Sequence, residues 1–273
     1  SKELLNNFGD LTKKLFGVTC NYSSKGKIER SDALRFSSKI VFEILNSLGI
    51  PQSPKSHKID LGSTLLILPN ELLKEYLRGL FDTDGSVIER KNGASYVDFT
   101  TTSVKLGKKL PLVLLRFGII SKTRLRKAKG SISKRKFDQG IIISKHDKYI
   151  LEIKGKENLE NFKEKINFKY SVKRKKLDKV INNISKYDTN VDVIPAVQEK
   201  IIRLKQKHNL SSEKIFGYKR SSLNQSNFSR RYLKNTVEKI NRVVNTNCPD
   251  LKYLKKLAGS DIFWDKVKSI NKI

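Results

Sequence analysis

Two aspartates stand close together at the end of an apolar helical pattern, in the run Asp82-Thr83-Asp84-Gly85. Carboxylates at the C-terminal end of a helix face the negative end of the helix dipole, which is unfavourable unless a cation lies beside them. Such hard oxygen ligands suit Mg²⁺, and bound divalent ions activate water when a phosphodiester is hydrolysed. The run therefore predicts a metal site with hydrolytic chemistry. The simpler interpretation is that both aspartates only begin a turn before a strand.

The residues around this run predict the elements that position it. Asn70 is a suitable N-cap for a helix that continues over residues 72–81. A hairpin follows, with strands at 86–90 and 95–100 joined through Asn92-Gly93, which is a strong signal for a tight turn. The two aspartates would then lie at the junction of the helix and the first strand.

A weaker pattern occurs twice in the chain. The amphipathic stretch at 4–16 ends in Phe16-Gly17-Val18, and a similar stretch at 106–117 ends in Phe117-Gly118-Ile119. Each is followed by a basic strand-like segment, an apolar strand and a helix, which indicates two αββα-like units. Only the second unit has a helix and hairpin at its front, so we expect the matching helix of the first to precede Ser1. Chance similarity of amphipathic segments is the alternative.

The charge balance indicates a polyanionic partner. Lys and Arg number 57 against 27 Asp and Glu, a formal net charge of +30 spread along the whole chain. A charge this large repels itself unless a polyanion accepts it, and nucleic acid is the obvious one. A compositional bias of the source genome is the alternative explanation for part of the excess.

The cysteines, histidines and apolar runs exclude other classes. Cys20 and Cys248 are far apart, the three histidines are isolated, and no zinc spacing occurs. No run of 18 apolar residues indicates a membrane span. We therefore expect double-stranded DNA as the partner, no membrane, no small-molecule substrate, and a cytoplasmic, nucleoid-associated location. The chain has no methionine, so we expect it to begin inside a longer precursor.

Basic residues alternate along two predicted strands. Lys122, Arg124 and Arg126 share one face at period two, and Arg90 lies at the end of the predicted hairpin strand. Arginine can read guanine through two hydrogen bonds, while lysine can hold phosphates. We interpret these four residues as DNA-binding. A solvated edge strand with protective charges is the alternative.

The last third of the chain predicts a small helical region. Residues 196–208 form an amphipathic pattern, a short helix is expected to end at Phe216, and another helix is expected at about 232–245. This spacing is typical of a helix-turn-helix, although a generic three-helix subdomain would give the same pattern. Arg230 and Arg231, before the last helix, are further DNA-binding candidates.

Residues 77–85, Leu-Arg-Gly-Leu-Phe-Asp-Thr-Asp-Gly, closely resemble the signature of the LAGLIDADG (DOD-type) homing endonucleases. The hairpin and the internal repeat extend the resemblance over roughly residues 1–180. It implies that Asp84, just before the final glycine, binds the metal and is catalytic, with Mg²⁺ or another divalent cation as cofactor. It also implies that Asp82 is structural and hydrogen-bonds at the helix end.

The same resemblance implies a basic residue near the end of each repeat that polarises a phosphate or a water. Lys55 and Lys58 fit after the first repeat, and Lys173 fits after the second. We prefer Lys58 and Lys173 as catalytic candidates. A solvated surface charge is the alternative for each of these lysines. In this family a curved antiparallel sheet contacts the major groove, which would place the basic strands on DNA.

A second resemblance concerns the end of the chain. Residues 258–267 look like the segment that re-enters the splicing domain of archaeal-type inteins, and residues 190–245 look like the helical DNA-binding insert of such inteins. The residues that perform splicing are absent. The resemblance implies an intein-borne homing endonuclease that lacks its first LAGLIDADG motif and its splicing blocks. A host extein protein would be its partner in the full precursor.

The expected fold class is α+β, with the LAGLIDADG endonuclease fold of αββαββα-type repeats, incomplete at the N-terminus, followed by a helix-turn-helix-like domain. The expected domains are a truncated first repeat at 1–68, a second repeat at 69–186, a helical DNA-binding subdomain at 187–258, and the start of the return to the splicing domain at 259–273.

Two alternative functions share this fold. One is a non-cleaving regulator that joins a degenerate LAGLIDADG fold to a helix-turn-helix, but Asp84 is intact. The other is a group I intron maturase, which would not need the splicing-type ending.

The expected truncation has a structural consequence. Gly79 would let a partner helix approach closely, and without that helix we expect an apolar stripe of Leu73, Leu77 and Leu80 to be exposed and to promote self-association. Because the chain supplies Asp84 but no matching acid from a first LAGLIDADG helix, we expect it not to make double-strand breaks.

Overall fold

The computed structural model describes residues 2–23, 32–48, 50–51, 56–91, 94–128, 132–134, 141–143, 146–185, 192–216, 227–244, 248–265 and 270, with the backbone alone at 132–134, 141–143 and 227. The chain divides into two compact units, Ser1–Ser185 and Lys186–Ile273. The division falls one residue before the predicted boundary between 186 and 187. The predicted first repeat belongs to the same unit as the second, and the final segment belongs to the second unit.

The first unit contains, in chain order, α1 (Lys2–Phe16), β1 (Asn21–Ser23), β2 (Ala33–Arg35), α2 (Lys39–Ser47), α3 (Ser63–Leu66), α4 (Asn70–Asp84), β3 (Gly85–Ile88), β4 (Tyr96–Thr101), α5 (Val104–Leu115), β5 (Ser121–Arg126), β6 (Ile132–Lys134), β7 (Ile141–Ile143), β8 (Lys148–Lys154), α6 (Lys156–Lys165) and α7 (Ser171–Asn182).

A four-stranded antiparallel sheet in the order β3-β4-β8-β5 forms the centre of this unit. Alternate residues point to opposite faces of a strand, and the buried face carries Val97, Phe99, Leu151 and Ile153. Helices α4, α5, α6 and α7 pack their apolar residues into the same core. The architecture is therefore α+β, with one face of the sheet covered by helices.

The predicted internal repeat is visible in the backbone. Helix α1 leads into the antiparallel pair β1–β2 and then α2, and helix α5 leads into the antiparallel pair β5–β8 and then α6. Gly17 and Gly118, which follow α1 and α5, have nearly equal φ angles of 66° and 65°. This left-handed conformation favours glycine. The same helix-ending turn therefore occurs in both copies of the internal repeat.

The predicted exposed stripe on α4 is wrong. Leu73 and Leu77 are completely buried and Leu80 is partly buried against the core. These leucines face the sheet and helices of their own unit, so no partner helix is needed to cover them. The side of α4 that carries Gly79 is open instead, because a Cβ built on Gly79 would meet no described atom within 4 Å.

Exposed apolar surface lies on α1 and α2 instead. Within the described part of the chain, neither helix contributes a residue to the core around the sheet. Their exposed large apolar side chains are Phe8, Leu11, Leu15, Ile40, Phe42 and Ile44, and Leu48 directly after α2 is also exposed. An apolar surface of this kind favours association, but these residues are not those of the predicted stripe.

The second unit contains β9 (Val193–Pro195), α8 (Gln198–Lys207), α9 (Ser212–Phe216), β10 (Asn227–Ser229), α10 (Arg230–Asn241) and α11 (Pro249–Ala258). Strands β9 and β10 pair antiparallel, and the helices enclose a separate apolar core. Helix α11 was not anticipated from the sequence, although Pro249 at its first position is a standard helix-start signal.

Gly79, inside α4, and Gly85, directly after its last residue, give a matched test of this packing. A Cβ on Gly85 would lie 2.7 Å from the Phe81 carbonyl oxygen, so Gly85→Ala is expected to destabilise the chain by about 1–3 kcal/mol. Gly79→Ala adds a methyl group in open space inside a helix and is expected to stabilise it by about 0.5–1 kcal/mol. Urea unfolding measures both. Destabilisation by Gly79→Ala would show that another surface covers this side of α4.

Candidate functional site

Asp84 is the last residue of α4, and Gly85 begins β3 directly after it. The Asp84 carboxylate is exposed, and it has no hydrogen-bond partner among the described residues. It lines an open cleft of about 410 Å³ whose other polar lining includes Ser56, Thr100 and Lys148. The fold therefore presents this carboxylate to the surroundings rather than using it to hold the structure together.

Asp82 has the opposite environment. Its side chain is buried, and its two carboxylate oxygens accept hydrogen bonds from the backbone N–H groups of Lys169 and Tyr170, both at 3.1 Å. These groups lie at the start of α7, where N–H groups lack partners within the helix. The expectation that Asp82 hydrogen-bonds in a structural role at the helix end is confirmed.

Lys173 provides the cation at the end of α4. Its ammonium group donates hydrogen bonds to the carbonyl oxygens of Phe81, at 3.1 Å, and Asp82, at 2.6 Å. Burial lowers the pKa of Lys173, and this is opposed by three nearby carboxylates, those of Asp82, Asp84 and Asp98. A positive charge therefore compensates the negative end of the helix beside Asp84, without any metal. The catalytic role of Lys173 stays a prediction.

Lys58 is exposed in the turn at 56–58. The residues on either side of it, Ser56 and Ile59, line the cleft with Asp84, but Lys58 itself is not among the lining residues. Lys55, the other candidate of the first repeat, lies outside the described residues. The structure thus places Lys58 at the edge of the cleft, and its catalytic role also stays a prediction.

Lys148 was missed from the sequence although it lines the cleft with Asp84. It begins β8, and its strand partner is Arg126. The available signal was the alternation of Lys148, Ile150 and Glu152 along one face of a strand. That signal was obscured because Tyr149 to Ile153 reads as a nearly continuous apolar segment.

The uncovered face of the sheet collects the predicted basic residues. The strand register places Lys122, Arg124 and Arg126 opposite Glu152, Ile150 and Lys148 respectively. The neighbours of these β8 residues, Leu151 and Ile153, face the core, so all three basic side chains belong to the opposite face. We call this face, which also carries Tyr96, Asp98 and Lys154, the outer sheet face.

Arg90 follows β3 and joins this face through Tyr96. Its guanidinium donates a hydrogen bond to the Tyr96 hydroxyl at 3.2 Å and lies 5.1 Å from the centre of the ring. The Lys154 ammonium lies 4.8 Å from the same ring centre. The turn residues Asn92-Gly93 lie outside the described residues. Four of the predicted DNA-binding residues therefore meet on one surface.

Arg230 in the second unit is placed differently from its prediction. Its guanidinium pairs with Asp192 at 2.7 Å and also donates to the carbonyl oxygens of Leu257, Ser260 and Ile262. These bonds fasten the start of the unit to its end and engage every nitrogen of the group. Arg230 is therefore a structural residue, unsuited to contact DNA. Arg231 is exposed at the start of α10, and its DNA-binding role stays a prediction.

The residues present fit a divalent cation only in part. Among the described residues, no group of three or more His, Cys, Asp and Glu side chains could hold a metal. One exposed carboxylate without a partner, Asp84, is however a suitable ligand for Mg²⁺, which proteins commonly bind through one or two carboxylates together with water and substrate phosphates. Such an ion would supply an activated water and charge stabilisation at the phosphate.

Residues 71–167 match the family model described as a LAGLIDADG-like domain. The matched range begins in α4 and ends just after α6, so it contains the whole sheet, Asp84 and the outer sheet face. Domains of this family are generally DNA-binding nucleases. The chain is thus similar to LAGLIDADG-like domains over this range, and this similarity supports an endonuclease at a coarse level.

The curated relatives include the following proteins of Methanocaldococcus jannaschii. A probable translation initiation factor IF-2 is 35% identical over 52% of this chain and 11% of its own length. The ATP-dependent DNA helicase Hel308 is 33% identical over 59% of this chain and 13% of its own length. A replication factor C small subunit is 26% identical over 97% of this chain, again 13% of its own length. The chain therefore spans only a small part of each of these relatives.

Within the described residues, no helix combines the length and the apolar character that a membrane crossing requires.

Substitutions of Asp82 and Asp84 should have different effects on the free energy of unfolding. Asp82→Asn removes one of the two buried oxygens that accept from the Lys169 and Tyr170 N–H groups, and it is expected to destabilise the first unit by about 1–3 kcal/mol. Asp84→Asn changes an exposed group without a partner, so its unfolding free energy should stay within about 0.5 kcal/mol of the original chain. Chemical denaturation measures both. Equal destabilisation by the two variants would contradict the different roles of the carboxylates.

Arg230→Ala should destabilise the second unit by about 2 kcal/mol or more, because it leaves Asp192 and several carbonyl groups without a donor. Arg230→Lys should not restore stability, since one ammonium cannot replace the planar guanidinium. Trp264, the single tryptophan, reports unfolding of the C-terminal segment by its fluorescence. Exposed Lys234→Ala is the matched control. Unchanged unfolding of Arg230→Ala, with reduced DNA affinity, would restore the DNA-binding interpretation.

Proposed function

We propose that this chain is the DNA-recognition and cleavage part of a site-specific, divalent-metal-dependent homing endonuclease encoded within an intein. The observation that carries the proposal is the exposed, unpartnered Asp84 carboxylate, held by a LAGLIDADG-like helix. Asp82 and Lys173 satisfy the helix end, so the fold does not require Asp84 for its own stability. A carboxylate without structural contacts of its own is a suitable ligand for a divalent ion that also contacts a substrate phosphate.

The outer sheet face supplies the recognition surface. A two-stranded or wider β-ribbon fits the DNA major groove, and Arg90, Lys122, Arg124 and Arg126 lie on this side of the sheet. The cleft beside Asp84 reaches the same sheet through Thr100 and Lys148. DNA lying along the outer sheet face would therefore bring its backbone close to Asp84.

In the proposed mechanism Asp84 would hold a divalent ion, and the ion would supply an activated water for phosphodiester hydrolysis. Lys173 stabilises the charge at the end of α4, and Lys58 and Lys148, at the cleft, are the candidates for contacting the phosphate. Among the described residues, Asp84 is the one carboxylate that lines the cleft. We therefore expect a single chain to cut at most one strand, while paired carboxylates would be needed for both strands.

The intein part of the proposal rests on two observations. Residues 258–267 resemble the return segment of archaeal-type inteins, and the relatives named above have unrelated names although each is similar to more than half of this chain over a small part of its own length. Insertion of one element into different host genes would produce this pattern. The second unit, which carries Arg231 on α10, is then the additional DNA-binding unit. This interpretation does not require its helices to form a helix-turn-helix.

The non-cleaving regulator is the second candidate function. The basic outer sheet face supports DNA binding equally well for a regulator, so affinity alone does not separate the two functions. The available carboxylate of Asp84 favours the endonuclease, because a regulator has no use for it.

The test combines binding and cleavage by the 273-residue chain. Its affinity for mixed-sequence duplex DNA should fall steeply with salt, with a log–log slope of roughly −7 if about eight phosphates are neutralised. Asp84→Asn should bind within about twofold of the original chain, because the carboxylate contacts no base. It should lose Mg²⁺-dependent nicking of a supercoiled plasmid library that carries randomised inserts.

The matched control is Asp265→Asn, which removes the same charge from the second unit. A slope near zero would contradict the DNA partner. Binding without any Mg²⁺-dependent nicking by the original chain, over a range of protein concentrations, would favour the regulator.

A further inference from the structure

Two carboxylates lie within the basic outer sheet face. Asp98 on β4 and Glu152 on β8 are direct strand partners, so their side chains project side by side from the same face. Like charges in directly opposed positions destabilise a sheet. Glu152 is also only 5% exposed. A chain that carries a net charge of +30 and binds a polyanion gains nothing from this pair unless the carboxylates act on their neighbours.

Glu152 holds two cations, one with each oxygen. Its Oε1 atom lies 3.1 Å from Nη2 of Arg124, and its Oε2 atom lies 2.6 Å from Nζ of Lys154. The Arg124 side chain is nevertheless 59% exposed. Glu152 therefore holds one nitrogen of the guanidinium in an ion pair, while more than half of the Arg124 side chain stays exposed. Solvent screens an ion pair to a buried carboxylate less than it screens a fully exposed pair.

Asp98 strengthens this arrangement. Burial raises the pKa of its carboxyl group, and the neighbouring Glu152 raises it further, while Arg124 and Lys173 act in the opposite direction. The Asp98 carboxyl group thus lies close enough to the Arg124 guanidinium to interact with it electrostatically. It also couples the outer sheet face to Lys173 at the end of α4.

The Lys154 ammonium extends the same network to Arg90. It lies over the Tyr96 ring, and the Arg90 guanidinium contacts both this ring and its hydroxyl group. A cation over an aromatic face is attracted to its π electrons. Glu152 is therefore connected through Lys154 and Tyr96 to the second arginine of the surface.

We propose that Glu152, supported by Asp98, is a specificity-determining positioning residue that orients Arg124 to read a base edge. The inference rests on the proposed function, since it assumes that the outer sheet face contacts DNA. An arginine that is free to rotate loses conformational entropy when it binds, and it contacts phosphates of any sequence. An arginine held by an ion pair at one nitrogen can still present its other N–H groups to guanine, and arginine reads guanine directly through two such hydrogen bonds.

The probe is a duplex DNA library with a randomised central region, from which the bound fraction is sequenced. The 273-residue chain should enrich a preferred sequence. Glu152→Gln should lose that preference at the base pairs where Arg124→Ala also loses it, with about a tenfold fall in the ratio of preferred to mixed-sequence affinity. Its affinity for mixed sequence should rise, because one negative charge is removed. The double variant should match Arg124→Ala.

Glu164→Gln is the matched control, because Glu164 is exposed on α6 and the variant has the same change in charge. It should leave the preferred sequence unchanged. A purely structural role of Glu152 would instead lower affinity for every sequence together with the unfolding temperature. An unchanged preference in a folded Glu152→Gln variant overturns the inference and leaves the proposed function intact. If the original chain enriches no sequence, site specificity itself fails.

A measurement on the unsubstituted chain tests the same point if Glu152→Gln does not fold. The ¹⁵N relaxation of arginine Nε groups in the free protein reports side-chain order. Arg124 should be clearly more ordered than Arg126, which lies on the same strand and face and has no ion-pair partner among the described residues. Equal mobility of the two side chains would overturn the positioning role.

Discussion

The compensation of charge at the end of α4 is the interaction on which the site depends. The helix ends with its carbonyl groups and two carboxylates close together, which is electrostatically unfavourable. Two pairs of hydrogen bonds of opposite direction resolve this: Lys173 of α7 donates to the last carbonyls of α4, and Asp82 of α4 accepts from two N–H groups at the start of α7. Because both helix ends are satisfied in this way, Asp84 is left without a structural task.

The start of α7 also holds the N-terminal part of the chain. The Glu3 carboxylate accepts hydrogen bonds from the backbone N–H of Ser171, at 2.9 Å, and from its hydroxyl group, and these bonds lower the pKa of Glu3. Helix α1 is therefore attached to the same junction, although its apolar side chains, such as Phe8 and Leu15, remain exposed. The junction thus organises three helices around one exposed acid, and the apolar surface of α1 and α2 is left for another contact.

The two faces of the sheet have different surroundings. One face is apolar and closed by helices, and the opposite face is charged and open, with Arg124, Glu152 and Lys154 linked by ion pairs. Since β3 continues directly from α4, the first residue of β3 on the open face is Ser86, two residues after Asp84 and opposite Asp98. The positions of the acid and of the basic strands are therefore fixed by one covalent connection and by the three strand registers of the sheet. The second unit has its own core and is organised by Arg230.

The sequence by itself determined the local elements. The Leu77–Gly85 run predicted the helix and its carboxylates, period two predicted the shared face of Lys122, Arg124 and Arg126, and the Phe-Gly repeat predicted two equal helix endings, because these signals depend on residues close in the chain. Tertiary structure decided the rest. Whether Leu73 and Leu77 face a partner or their own core depends on how α4 is rotated against the sheet. That Arg230 is enclosed, and that Glu152 meets Arg124, depends on contacts between distant residues, and spacing along one chain does not encode them.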